Sequence, residues 1–339
     1  MIISKTYLGL AVIIFLGQSV KLDGQTNNIP IEKKELCNKP AIDWVDEISS
    51  ENFANKDEGF FSSVLNFILG EDELTILKPF SSYVSDNGSI YYIDQDEKSL
   101  MFIDKKENEI RSILPDEIKF ESPVGLCSTE DGLLITDSQN NKIFKYDYKT
   151  EEITDFNTSL KQPTGITYLK DRNEIWVCET KNHRIVRLDK NGNQIGTIGQ
   201  RGIEPGEFNF PTFIWADNKG KVYINDSMNF RIQVFSEEGI IISTFGKAGD
   251  GTGDFARPKG IATDSFGHIY VADALFNNIQ VFNERGQLLY TFGQKGIERG
   301  EFWLPAGLYI DNVNKIYVAD SYNSRIQIFQ LSCDDEVEN

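Results

Sequence analysis

"RPKGIATDSFGHIYVADALFNNIQVFNERGQLLYTFG", Arg257 to Gly293, is the stretch from which the fold can be read. A proline opens an apolar segment, a polar turn ("SFGH") follows, and an alternating segment ends in an acid ("IYVAD"). A second alternating segment ("NIQVF") and a turn ("ERG") lead to a fourth, "LLYTFG". Period-two alternation, β-branched and aromatic residues and regular turns predict four short antiparallel strands.

The pattern recurs on both sides. "FPTFIWADNKGKVYINDSMNFRIQVFSEEGIIISTFG" runs from Phe210 to Gly246, and "LPAGLYIDNVNKIYVADSYNSRIQIFQL" from Leu304 to Leu331. Earlier copies start at Pro163, Pro123 and, more weakly, Pro79. Successive prolines at 79, 123, 163, 211, 258 and 305 stand 44, 40, 48, 47 and 47 residues apart. Six four-stranded units, each burying both faces against its neighbours, predict an all-β, six-bladed β-propeller over 73–331. The last copy lacks a fourth strand. "ELTIL", Glu73 to Leu77, precedes the first copy in the slot of a fourth strand and is expected to supply it, covering an open edge.

The flanks read differently. Lys5 precedes an apolar run, Tyr7 to Leu16, too short to span a bilayer, with small residues at Gly17, Ser19 and Gly24. Residues 1–24 therefore read as a signal peptide and the protein as exported, periplasmic or extracellular. Residues 25–57 read as an irregular leader. Phe60, Phe61, Val64, Leu65, Ile68 and Leu69 recur at helical spacing before Gly70, predicting a short helix over 58–72 docked on one propeller face. Residues 332–339 form an acidic tail, and no later segment is apolar and long enough to span a membrane.

In 339 residues, 40% are hydrophobic and 25% charged, with a formal net charge of -18. Such an acidic surface repels phosphate backbones and anionic lipid, so nucleic acid and membrane surfaces are poor partners. A monomer is expected. Cys37 and Cys333 flank the folded region and could clip its ends; Cys127 and Cys178 sit in apolar runs and read as buried thiols. No Cys/His spacing suggests zinc.

Aligned copies carry an acid at the end of the second strand: Asp94, Asp137, Glu179, Asp226, Asp273 and Asp320. Three residues on stand Asn140, Asn182, Asn229 and Asn323 in four copies, and five on stand Arg184, Arg231 and Arg325 in three. A catalytic constellation needs different residues converging at one place, whereas a repeated trio is a structural device. The acid can accept turn N–H groups, the Asn suits left-handed geometry, and the base can pair with the acid. Between blades, "GQRGIEPGEFNFP", "GKAGDGTGDFARP" and "GQKGIERGEFWLP" share a Gly-rich pattern. Lacking a Walker Gly-Lys-[Ser/Thr], they read as tight crossovers in which Gly199, Gly202 and Gly206 permit positive φ and Phe208, Phe255 and Phe302 insert as plugs.

These residues resemble the NHL repeat family, whose hallmark is Pro-x-Gly-Ile…Val-x-Asp…Asn-x-Arg-Ile-Gln-Val-Phe. The resemblance covers Pro79 to Leu331, and the final two copies look especially like exported bacterial members. It implies a six-bladed propeller with functions ranging from protein binding to RNA binding and lyase chemistry; fold alone does not choose among them. Amidating lyases of this fold need several histidines around zinc, but only His183 and His268 exist here, at different repeat positions. Trp215 and Tyr309, on inner strands, read as core. A gluconolactonase-like calcium site would draw on Asp217, Asp264 and Asp311, which read equally as turn residues, and a structural or channel calcium stays open. No other cofactor, metal ligand or catalytic residue can be nominated. The face bearing second-to-third-strand loops and crossovers carries Met228, Phe230, Leu275, Phe276, Trp303 and Tyr322, suited to a protein or small-ligand hot spot. The expectation is an exported non-catalytic binding scaffold. The alternative is a metal-dependent lactonase- or lyase-like enzyme with a site in the central channel.

Overall fold

The computed structural model describes residues 40–50, 76–107, 109–113 and 118–333. The segments read as signal peptide and helix, together with Cys37, lie outside the described residues. Strand β1 spans Pro40–Ser49. Blade 1 holds β2 (Pro79–Val84), β3 (Ile90–Asp94), β4 (Ser99–Asp104) and β5 (Glu109–Ser112), and blade 2 holds β6 (Pro123–Ser128), β7 (Gly132–Asp137), β8 (Lys142–Asp147) and β9 (Ile153–Asn157). Blade 3 holds β10 (Pro163–Leu169), β11 (Glu174–Glu179), β12 (Arg184–Asp189) and β13 (Gln194–Ile198), and blade 4 holds β14 (Pro211–Ala216), β15 (Val222–Asp226), β16 (Arg231–Phe235) and β17 (Ile241–Phe245). Blade 5 holds β18 (Pro258–Thr263), β19 (Ile269–Asp273), β20 (Asn278–Phe282) and β21 (Leu288–Phe292). Blade 6 holds β22 (Leu308–Ile310), β23 (Lys315–Asp320) and β24 (Arg325–Cys333).

Five first strands begin at the repeat proline, whose missing N–H is harmless at a strand start. Among the described residues six apolar clusters form, one at each blade–blade interface. The fold is a six-bladed, all-β propeller of four-stranded antiparallel sheets. No helix among the described residues is long and apolar enough to cross a membrane. Cys127 and Cys178 are free thiols, Cys127 partly exposed, and burial pushes both pKa values up.

The closing strand is not the one the sequence suggests. β1 pairs with β24, from Pro40 opposite Cys333 to Ser49 opposite Arg325, and completes blade 6. The stretch read as an irregular leader thus contributes a strand. Ile76 and Leu77, at the end of "ELTIL", lie in no strand, although Ile76 is buried and donates its N–H to Ser50 Oγ at 2.7 Å. The register of β1 shifts between Trp44 and Asp46, leaving Val45 exposed. This bulge flips the faces. Ile42 and Trp44 pack toward blade 5, whereas Ile48 packs toward blade 1.

In the crossovers Phe208, Phe255 and Phe302 are fully buried. Gly199 and Gly206 take φ of +79° and +86°, where side chains are strained. Gly202 has no positive φ; a Cβ there would strike the Glu207 carboxylate instead.

Candidate functional site

The acids at the ends of the second strands are fully or almost fully buried. Asp320 accepts hydrogen bonds from the Trp303 N–H (2.7 Å), Asn323 Nδ2 (2.9 Å), Arg325 Nε (2.9 Å) and Gln327 Nε2 (3.0 Å). Asp226 has the same arrangement with Asn209, Asn229, Arg231 and Gln233. Burial pushes both carboxyl pKa values up, opposed by those donors. Arg231 also donates to the carbonyls of Ile203, Glu204 and Glu207, so the clamp holds the crossover loop. Asn229 and Asn323 do likewise, donating to the Gly202 and Gly296 carbonyls. In blade 3, Glu179 gives one oxygen to the Lys161 N–H and the other to Arg184 Nε; Asp137 and Asp273 each accept four backbone N–H groups.

The left-handed residue falls one position after the Asn column, at Lys98, Asn141, His183, Phe230, Asn277 and Ser324. Its side chain decides how the next blade is joined. Asn141 Oδ1, His183 Nδ1 and Asn277 Oδ1 accept the N–H of Gln162, Phe210 and Leu304, the residues before the next proline, each at positive φ. After Lys98 and Phe230, which offer no acceptor, and Ser324, whose hydroxyl donates to the Leu77 carbonyl, the N–H groups of Ser122, Arg257 and Lys78 turn to the next blade's aspartate.

His183 is therefore a joint, not a ligand or base. Burial and then Arg201 hold its pKa below the ordinary 6.5, and protonation removes the acceptor. A depressed folded pKa means stability that is present above pH 6.5 and lost as pH falls through the folded value. His183→Asn is expected to keep the joint and abolish this pH dependence, while His183→Leu costs about 1 kcal/mol at pH 7. Melting temperatures at pH 7 and pH 5 check it; parallel curves for wild type and His183→Asn would refute the assignment.

The first strands of all six blades wall a central cavity of about 1010 Å³, open on the crossover face. Phe80 of blade 1 and Phe213 of blade 4 meet across it with ring centroids 5.7 Å apart. Deeper lies an aromatic layer, with Tyr309 set 5.6 Å from Tyr83 and 5.7 Å from Trp215. Trp215 and Tyr309, read from sequence as core, are half-buried channel residues. Met228, Phe230, Leu275 and Tyr322 stand at the cavity mouth, whereas Phe276 and Trp303 are not among its lining residues. Trp303 packs on Tyr322 at 5.8 Å.

The charges along the channel are separated by sign. Among the described residues walling the cavity, Lys78, Arg257 and Lys259 are charged and no carboxylate or imidazole appears. Lys259 occupies the variable position of Pro-x-Gly in β18, which in other blades holds Phe80, Val124, Thr164, Thr212 and Ala306. Its Nζ lies 5.2 Å from the Phe80 ring centre. Burial, then Arg257 and Lys78, push its pKa down to about 8. The sequence reading missed it because nothing in one repeat says that this position faces the channel. Tabulating that position across copies would have found it.

Beyond the aromatic layer, a smaller cavity of about 450 Å³ opens on the opposite face and is lined by Asp217, Asp264 and Asp311. Their oxygens are engaged: each accepts turn N–H groups with one oxygen and a second-strand tyrosine hydroxyl (Tyr223, Tyr270, Tyr317) with the other. As arranged, they do not fit a calcium ion, which takes about six to eight oxygens. No group of three His, Cys, Asp or Glu among the described residues stands together for a metal. His268 bonds Asp264 at this end, on the face opposite His183.

The NHL repeat family model matches residues 160–188 and 302–329, the core of blades 3 and 6. A streptogramin B lyase structure is 16% identical, covering 75% of this chain and 94% of that one, with a TM-score of 0.56. An auxiliary nutrient binding protein from Bacteroides thetaiotaomicron is 13% identical over 75% of this chain and 69% of that one, TM-score 0.61. A catalytically inactive virginiamycin B lyase from Staphylococcus aureus is 17% identical over 87% and 100%, TM-score 0.59. At these identities the likeness is one of fold. Matched repeats, six blades and the Pro-led first strands together make this chain an NHL-repeat β-propeller.

Proposed function

We propose that this propeller is an exported, periplasmic or extracellular, binding protein that holds a small ligand in the central cavity without transforming it. The observation that carries the reading is the cavity itself: about 1010 Å³, of the size of small-molecule sites, walled by aromatic and apolar side chains interspersed with hydroxyl and cationic groups. Met228, Phe230, Leu275 and Tyr322 border its mouth, where a bound molecule would be gripped. The signal-like start of the chain supports the placement outside the cytoplasm, and an auxiliary nutrient binding protein is among the structures that share its fold. The alternative, metal-dependent lactonase or lyase chemistry, finds no carboxylate or imidazole in the described wall of this cavity.

A thermal-shift screen of small metabolites tests the reading. Compounds that raise the melting temperature are expected to quench Trp215 and to bind about tenfold more weakly to Phe213→Ala, which removes one side of the aromatic pair. Hits that bind wild type and Phe213→Ala equally would place the site elsewhere.

A further inference from the structure

We propose that the cavity is selective for singly charged oxyanions, carboxylates or sulfonates with an aromatic or alkyl body, and that Lys259 is the residue that takes the charge. The inference rests on the cavity-binding reading and adds its ligand class.

Three features of the wall lead there. First, the protein carries a formal net charge of -18, yet the described residues around this cavity include three cations and no acid. Second, the cations are unequal. Lys78 pairs with Asp96 at 3.5 Å and lies 5.2 Å from the Tyr322 ring, and Arg257 is exposed at the rim. Lys259 is half-buried among aromatic walls, and no carboxylate among the described residues stands within ion-pair distance of it. A lone ammonium there lacks the partner that a buried charge ordinarily requires. An incoming anion supplies that partner and is itself stripped of water by the same walls, so the pair is stronger than it would be at the surface. Third, Phe80 holds the amine from one side while Phe213 faces Phe80, which leaves flat apolar surface for the rest of the ligand. One half-buried, unpaired positive charge balances one negative charge. A dianion such as a phosphate monoester would have to draw its second counter-charge from Arg257 at the exposed rim, where water weakens the pairing.

A matched pair of fluorescent probes separates this inference from the reading beneath it. 1-Anilinonaphthalene-8-sulfonate and N-phenyl-1-naphthylamine share an aromatic body, and only the first carries an anion. Wild type is expected to bind both, the sulfonate more tightly. Lys259→Met should weaken the sulfonate about tenfold to a hundredfold and leave the neutral amine unchanged, while Lys259→Arg retains the preference. Phe213→Ala should weaken both. The sulfonate affinity of wild type should fall as pH rises through about 8 and beyond, where the free amine loses its proton, and the neutral probe should show no such fall. An aryl acetate should displace the sulfonate, and its amide should not. If Lys259→Met affects neither probe or both alike, the anion assignment is wrong and the cavity reading stands. If neither probe binds wild type at one site, the cavity reading fails and takes this inference with it.

Discussion

Ile48→Asp is expected to open the ring. Ile48 is fully buried in the cluster between blades 6 and 1, beside Ile326, Ile328 and Tyr317. Truncating a buried isoleucine costs about 2–5 kcal/mol, and a carboxylate with no partner in its place adds a further desolvation cost of several kcal/mol. Domains are stable by only about 5–15 kcal/mol, so one substitution removes most of that margin. The same strand supplies its own control. Val45, three residues away, is the bulge residue and is 45% exposed; Val45→Asp should change stability by no more than about 0.5 kcal/mol. Thermal unfolding of both variants checks the assignment. Equal, small shifts would mean that β1 is not what fastens the ring.

Asp320→Ala is expected to be nearly as damaging. Its carboxylate is the common acceptor for the Trp303 amide, Asn323, Arg325 and Gln327. Arg325 is itself buried and reaches on to Glu47 of β1 at 3.1 Å. Removing one member of a buried ion pair costs about 3–5 kcal/mol; here Arg325 keeps Glu47 as its remaining carboxylate, while the Trp303 N–H and Asn323 lose their acceptor. For a chain of this size that is a fall in melting temperature on the order of 10 °C. Combining Asp320→Ala with Arg325→Met should recover part of the loss. A melting temperature within about 2 °C of wild type in the single variant would show that the clamp is dispensable.

The blade count and strand order were legible because prolines and turns recur at a near-constant period, and alternation survives wherever one face is buried. The closing strand was not legible. Ile42, Trp44 and Ile48 share one parity, so simple alternation puts them on one face, whereas the bulge at Val45 sends them to two different interfaces. "ELTIL" looked the better strand because its apolar residues sit next to the first copy, but proximity in sequence did not decide which edge needed covering. Trp215 and Tyr309 were legible as inner-strand residues and not as channel lining, since alternation does not show that the first strand of each sheet is the edge turned to the channel. Lys259 was hidden for the same reason. Its neighbour Gly260 is a repeat marker because a Cβ there would come within 2.5 Å of the Ala306 carbonyl of the adjoining blade, so the constrained glycine draws attention from the variable residue before it.

The two kinds of blade joint bear on how the ring was assembled and how it can be rearranged. Where Asn141, His183 or Asn277 serves the next blade, the two blades depend on each other's sequence. Where the following aspartate takes both N–H groups itself, the pre-proline amide needs no side chain of the preceding blade. Blades 2, 3 and 4 therefore form one interdependent module, blades 5 and 6 another, and blade 1 stands between them. Duplication, exchange or circular permutation that cuts at the joints before blade 2 or before blade 5 leaves every pre-proline amide with its acceptor, and a cut inside a module strands one.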